Sequence, residues 1–166
     1  MSASNLSEIT RELVLGKIRS DIAASLAAIR VMRADPIVTT EPPQSYFIYQ
    51  SIAQYRTPAV FAIVEDMDFK KERGANHVNA TVKINISVVV EDRLGDNVVI
   101  KAERYQAALY DILDEAVIDS SDNTLRVVVI VKRAMFSPVY MKDDKSQSAF
   151  RKEVLLECEV EHYENF

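Results

Sequence analysis

The sequence predicts one α+β domain, in which a mixed or antiparallel sheet of about four to five strands packs on two helices and carries long hairpin arms. Two kinds of periodicity support this fold class. Residues 79 to 93, "NATVKINISVVVEDR", alternate apolar and polar residues, which is typical of a strand with one buried face. Two other stretches repeat apolar residues every three or four positions, which is typical of helices. The predicted order is α, an irregular segment, β, β, α, β, β, without an internal repeat.

The first helix is predicted to begin at Asn5 and to end near Asp35. Asn5 is a candidate N-cap residue, and Glu8 follows it at the spacing of a capping box. Pro36 disfavours helical geometry in the residue before it, and so ends the helix. Five residues form one apolar stripe along the helix: Leu15, Ile18, Ile22, Leu26 and Ile29.

The segment from 36 to 58 contains most of the prolines and is predicted to be partly extended. Its aromatic residues Tyr46, Phe47 and Tyr49 are expected to anchor it. A short, nearly continuous apolar strand, "AVFAIVEDM", follows from Ala59. Residues 68 to 79 then form a predicted hairpin arm, the first arm, because Gly74 favours a turn between two adjacent strands.

The alternating strand after the first arm is predicted to have one core face and one opposite face. The core side carries Val82, Ile84, Ile86, Val88 and Val90, and the opposite side carries Thr81, Lys83, Asn85 and Ser87. A second helix is predicted after Gly95, closed by "DSSDNT" at 119 to 124. Its apolar face consists of Tyr105, Ala108, Leu109, Ile112, Leu113 and Ala116.

Two further strands complete the predicted sheet. Residues 125 to 136 are apolar at nearly every position, which predicts a central strand. Residues 151 to 163 alternate again, with Val154, Leu156, Cys158 and Val160 inward and Glu153, Glu157, Glu159 and Glu161 outward. The polar segment from 139 to 150 between these strands is a long hairpin loop, the second arm.

The composition is that of an ordinary globular chain, with 166 residues, 48% of them hydrophobic, and a net charge of −5. An acidic balance argues against a DNA- or RNA-coating role, which needs a basic face. Cys158 is the only cysteine, so an intrachain disulfide is excluded. The N-terminal residues resemble no signal peptide, and apolar runs of about 18 residues are absent. The expected location by default is the cytoplasm.

The sequence offers little catalytic chemistry, and the chain is predicted not to be an enzyme. Its two histidines, His77 and His162, are expected at the surface, and Cys158 is expected to be a buried core thiol. Three scattered glycines exclude a glycine-rich phosphate loop. The carboxylates between Asp111 and Asp122 are expected to be a solvated helix face rather than a metal site. Neither a cofactor nor a metal is expected.

The order of elements resembles the tail terminator, or tail completion, family of long-tailed bacteriophages. The features that carry the resemblance are distributed from Ser7 to Tyr163. They are the N-terminal helix ending before a proline, "TPAVFAIVED", the hairpin into "VKINISVVVEDR", the helix "AERYQAALYDILDEA", and the closing pair "LRVVVIVKRAMF" and "RKEVLLECEVEHY".

The resemblance implies a structural virion protein of the tail or neck, present in the host cytoplasm during assembly. Such a protein forms a homo-oligomeric ring, usually of six subunits, that ends the tail tube and joins it to the head connector. DNA passes through the ring without specific binding, and no membrane is involved. Its expected partners are the tail tube protein and the head-completion or connector protein.

Two groups of site residues follow from this resemblance. The outward glutamates of the last strand would face the DNA channel: Glu153, Glu157, Glu159 and Glu161. The charged residues of the two arms would dock on the partners: Lys70, Lys71, Arg73, Lys142, Asp143, Asp144 and Lys145.

An alternative hypothesis from a different class is a small cytoplasmic ligand-binding or regulatory α+β module. Its site would be an aromatic cluster formed by Tyr46, Phe47, Tyr49 and Tyr55, because ligand pockets favour aromatic walls. Core packing explains the same residues equally well.

Overall fold

The computed structural model describes residues 5–34, 40–48, 55–70, 79–142 and 149–164. These residues form two helices and one mixed sheet of seven strands. The α+β class and the packing of the sheet on two helices are confirmed. The sheet has more strands than the sequence predicted.

The sheet is built around two long central strands. The elements are α1 (Leu6–Arg33), β1 (Ser45–Phe47), β2 (Ala59–Lys70), β3 (Asn79–Asp92), α2 (Gly95–Leu113), β4 (Val117–Asp119), β5 (Leu125–Phe136), β6 (Tyr140–Lys142) and β7 (Ala149–Glu164). The strand order is β1-β2-β3-β7-β5-β4, and β6 pairs with β7 beyond the end of β5. All neighbouring strands are antiparallel except β1 and β2. The predicted central position of β5 is therefore wrong, because β3 and β7 occupy the centre.

The hydrophobic core lies between the two helices and one face of the sheet. All five residues of the predicted α1 stripe are buried. The apolar residues of β3 and β7 that alternation assigned to the core are also buried, at 0–2% exposure. α1 packs along α2, and α2 packs on β3, β7 and β5. Within the described residues, both helices therefore lie on one face of the sheet and no helix lies on the opposite face.

The predicted N-cap position of Asn5 and the end of the first helix near Asp35 are confirmed, whereas the capping box and the end of the second helix need correction. Asn5 takes the N-cap position in a helical conformation (φ −103°, ψ −3°) and makes no capping hydrogen bond with its side chain, so the capping box is wrong. α2 ends at Leu113, because Asp114 is extended and its carboxylate accepts a hydrogen bond from the Val131 amide. Ala116 consequently lies beyond the helix, and the segment that follows it is β4 rather than helix.

His162 is buried at 1% exposure, so the predicted surface position is wrong. Its Nε2 forms a hydrogen bond with the Thr10 hydroxyl oxygen. The hydroxyl donates its own proton to the Leu6 carbonyl at 2.6 Å. Nδ1 of His162 lies 3.2 Å from the Ala80 carbonyl oxygen. The imidazole therefore joins α1, β3 and β7 inside the core. His77 lies outside the described residues.

Neither α1 nor α2, the helices of the described residues, is long and apolar enough to cross a membrane.

Candidate assembly surfaces

The face of the sheet opposite the helices is the outer face, and it is polar over most of its width. Thr81, Lys83 and Asn85 of β3 lie on it, as the alternation predicts. Ser87 also points to this side, but it is buried at 4% exposure. A small second cluster of apolar residues, described next, covers its end of the sheet. The outer face is thus divided into an aromatic end and a charged remainder.

The aromatic end is built around Phe61 of β2. The Phe47 ring stacks on it with centroids 5.2 Å apart, and the Tyr55 ring meets it edge-on at 5.2 Å. Tyr46 lies on the other side of the sheet, where the Arg19 guanidinium is 4.4 Å from its ring centroid. Tyr49 lies outside the described residues. The three described aromatic residues of the alternative hypothesis are therefore split between two faces, with Phe47 and Tyr55 on one and Tyr46 on the other.

The four glutamates of β7 all lie on the outer face and are partly exposed. Glu157 accepts a hydrogen bond from Arg133 at 3.1 Å, and Glu159 lies 3.4 Å from the Lys132 ammonium. Glu161 accepts a hydrogen bond from the Tyr163 hydroxyl at 2.7 Å. Two of the four carboxylates thus have a cationic partner on β5. The face around them carries both signs of charge rather than a single negative field.

Charge alternates in sign from strand to strand across the outer face. Asp66 of β2, Lys83 of β3 and Glu159 of β7 follow one another in the register of the sheet. Lys132 of β5 continues the row through its ion pair with Glu159. The row therefore reads negative, positive, negative, positive. Its first strand, β2, is acidic, and its last, β5, is basic.

The two edges of the sheet are each only partly covered. β1 pairs with β2 over residues 59–61, so β2 is open from Ala62 onward among the described residues. β4 pairs with β5 over residues 126–128. The Val129 amide donates to the Ala116 carbonyl, and the Val131 amide donates to Asp114. β5 is therefore open from Lys132 onward within the described part of the chain.

The bases of the two arms lie at opposite ends of the sheet. The base of the first arm is the pair Lys70 and Asn79. The base of the second arm is the pairing of β6 with the start of β7, near the Asp92 end of β3, so these ends of the predicted loop are strand. β3 has 14 residues, so the arms are about 45 Å apart at a strand rise of about 3.3 Å. The backbones of Lys70 and Lys142 end strands β2 and β6. The other predicted docking residues lie outside the described residues: Lys71, Arg73, Asp143, Asp144 and Lys145.

A buried arginine fixes the base of the second arm. The Arg151 side chain donates from Nε to Glu91 at 2.8 Å, and its guanidinium carbon lies 5.1 Å from the Tyr55 ring centroid. Arg151 is 9% exposed, so this contact is largely protected from solvent. Tyr140 and Met141 beside it are exposed at 42% and 60%. The second arm thus starts from a rigid base that also presents apolar surface.

The remaining chemistry of the described residues is structural. Cys158 is buried, as predicted, and burial raises the pKa of its thiol to about 12. Among the described residues, no group of three or more histidine, cysteine or carboxylate side chains is placed to hold a metal. Asp119 binds Arg126 through both carboxylate oxygens, and Asp122 accepts hydrogen bonds from Ser120 and Thr124. The hydrogen bonds of these carboxylates therefore stabilise the turn that leads into β5.

No protein-family model matches the chain, and no curated protein matches it in sequence. Among solved structures, the chain is similar to one from a structure described as "Virion of native gene transfer agent (GTA) particle". The TM-score is 0.34 and the sequence identity is 14%, over 89% of this chain and 97% of that chain. A likeness at this TM-score establishes neither a common fold nor a function.

Proposed function

We propose that the chain is a structural virion protein that forms a ring, which ends a phage tail tube and joins it to the head connector. The resemblance to the tail terminator family implies six subunits for this ring. The observation that carries this proposal is the sheet itself. In the described part of the chain it has one face without helices and two partly open edges that differ in sequence and charge. Open edges carry unpaired backbone N–H and C=O groups, which can pair with another chain.

Two unlike edges favour a ring over a dimer. A two-fold dimer uses the same patch on both subunits, whereas a closed ring needs two different patches that fit each other. β2 and β5 supply two different patches on opposite sides of each subunit. Repeating one heterologous contact around an axis leaves every edge paired. The outer or the helical face of the sheet then lines the central hole.

The arms fit a joining role because their bases lie at opposite ends of the sheet. With about 45 Å between their bases, one arm is directed to the tail tube and the other to the head connector. Loops carried on a rigid sheet are where binding residues concentrate, since they vary without disturbing the core. The Arg151 contact described above gives the second arm such a base.

The outer face suits a channel through which DNA passes without being bound. Strong binding to DNA requires cations that neutralise phosphates and release counterions. On this face Lys132 and Arg133 are already engaged by Glu159 and Glu157. Glu153 and Glu161 add negative charge that does not attract phosphate. We therefore assign these four glutamates to the lumen, and we propose no catalytic role for the chain.

The proposal is tested by the assembly state of the purified protein. Native mass spectrometry and negative-stain microscopy of concentrated protein, and of tails that carry it, should show annular particles of six subunits with a central hole. Monomers or solid dimers in both preparations, at every concentration, would contradict the ring. Rings that neither cap tail tubes nor bind connectors would contradict only the joining role.

A further inference from the structure

Each open edge of the sheet has a β-bulge, and each bulge carries two consecutive like charges. The register of β2 against β3 shifts between Val64 and Asp66, with Glu65 as the extra residue. The register of β5 against β7 shifts between Val131 and Arg133, with Lys132 as the extra residue. Bulges redirect side chains, so neighbouring residues reach the same side of the sheet.

The contacts of these four residues confirm that they share the outer face. Glu65 accepts a hydrogen bond from Asn85, and Asp66 lies 3.9 Å from the Lys83 ammonium. The β5 pair contacts two glutamates of β7, as described above. One edge therefore presents two carboxylates on the outer face, and the other edge presents an ammonium and a guanidinium.

Both bulges lie at the same level along the strands, which we call their height in the sheet, and both edges are open at this level. Asn85 of β3 is the register partner of Ile63 and of Glu157, and Glu157 is the partner of Arg133. β1 ends its pairing before this row, and β4 ends its pairing on the other side of it. The acidic and the basic pair are thus two ends of one row across the subunit.

We propose that Glu65 and Asp66 of one subunit pair with Lys132 and Arg133 of the next, so that the outer faces of two copies join edge to edge. This inference rests on the ring proposed above and names its contact. The alternation of charge across each subunit then continues across the junction, because a basic last strand meets an acidic first strand.

The common height of the two pairs is what ring closure requires. When the strands run roughly parallel to the ring axis, a rotation about that axis brings the acidic pair of one subunit to the basic pair of the next. No shift along the axis is needed. A shift at every contact would produce an open helical filament instead of a ring. β2 and β5 run in opposite directions within the subunit, so the strands that meet at the junction are antiparallel.

The four side chains retain the capacity to make these contacts. Asp66, Lys132 and Arg133 have side chains exposed at 56%, 51% and 61%. A guanidinium has five N–H donors, so Arg133 can bind a carboxylate of the next subunit while it donates to Glu157. The bulges interrupt the regular ladder at this row, so the contact is made by charged side chains rather than by an unbroken set of backbone hydrogen bonds.

Charge reversal at each edge tests the pairing. The first variant is Glu65→Lys/Asp66→Lys, the second is Lys132→Glu/Arg133→Glu, and a third combines all four substitutions. A matched control, Asp96→Lys/Asp111→Lys, changes the net charge as the first variant does, on exposed positions of α2. Assembly is measured by sedimentation and native mass spectrometry at low salt, about 50 mM, where exposed charges are weakly screened.

Each edge variant alone should assemble at least about tenfold more weakly than the parent, because like charges then face each other. The combined variant should regain assembly, and so should an equal mixture of the two edge variants. In the mixture the subunits alternate, so each reversed edge meets a reversed edge and each parental edge meets a parental edge. Native mass spectra of the mixture should show three copies of each variant in a six-membered ring. The control should assemble as the parent does.

Rings of parental affinity from either edge variant would overturn this contact and leave the ring itself standing. Weakened edge variants that neither the mixture nor the combined variant rescues would contradict the pairing, because the loss would then come from the contacts of these charges within the subunit. A parent protein that stays monomeric or dimeric would instead contradict the proposed function.

Discussion

The buried contact between Thr10 and His162 should contribute measurably to stability, because it joins the first helix to the last strand. Both residues are buried, at 0% and 1% exposure. Thr10→Val keeps the volume and shape of the side chain, so its effect reports the lost hydroxyl. The change removes the hydroxyl that Nε2 of His162 contacts, and the loss of one buried hydrogen-bonding partner costs about 1–3 kcal/mol. His162→Leu removes the contacts to Thr10 and Ala80 and should cost a similar amount.

The double variant decides whether the two residues act through each other. When either Thr10 or His162 has been replaced, replacing the other removes no further hydrogen bond between them. The double variant should therefore be more stable than the sum of the two single losses predicts, with a coupling of about 1–2 kcal/mol. Ser20→Ala is the matched control, because its exposed hydroxyl donates to the Lys17 carbonyl at 3.0 Å on the same helix. It should change stability by less than about 0.5 kcal/mol.

The assay is urea unfolding followed by far-ultraviolet circular dichroism, since the chain contains no tryptophan. All variants are compared at one protein concentration, because association stabilises the folded state by mass action. A coupling below about 0.3 kcal/mol, the usual limit of additivity, would refute the contact. A Ser20→Ala loss as large as that of Thr10→Val would attribute the effect to the helix rather than to the histidine.

Three further outcomes are expected. Cys158 should resist alkylation at about pH 8 in the folded protein and react in urea, because burial raises the pKa of its thiol from 9.0 to about 12. Mass spectrometry measures the alkylated fraction, and rapid labelling of the folded protein would contradict this prediction. Shortening 142–148 to a two-residue turn should preserve the melting temperature but leave heads and tails unjoined in micrographs; normal joining would exclude the second arm as a docking element. Glu153→Lys/Glu161→Lys should leave the fold within about 1 kcal/mol and impair DNA passage, whereas full infectivity of such phage would show that the face does not line the channel.

The long elements of the fold were predictable because each carries many periods of its pattern. α1, β3 and β7 have 28, 14 and 16 residues, and their alternation or helical spacing identified both the element and its buried face. The strands β1, β4 and β6 have three residues each, which is too short for any period to show. The end of α2 was missed for a related reason, because Ala116 continues the helical spacing although the backbone has already turned at Asp114.

The burial of His162 was predictable from the alternation of buried residues along β7, but the prediction of a surface position rested on its residue type instead. Val154, Leu156, Cys158 and Val160 have the same parity along β7, and His162 is the next member of that series.

The candidate assembly surface was predictable only in part. Alternation placed the β7 glutamates on one face, but the partners Lys132 and Arg133 depend on the pairing of β5 with β7 and on a bulge. Register and bulges arise from pairing between distant segments, and no local pattern records them.

The antiparallel contact between β3 and β7 determines how the subunit responds to mechanical tension. The first arm is attached to β3 at one end of the sheet, and the second arm is attached to β7 at the other. A pull that separates the two arms therefore acts along the strands and shears the whole ladder from Thr81 to Asp92 at once. Shearing requires many hydrogen bonds to break together, whereas peeling would break them singly. In the proposed joining role, the protein would thus transmit force between the two assemblies with little extension.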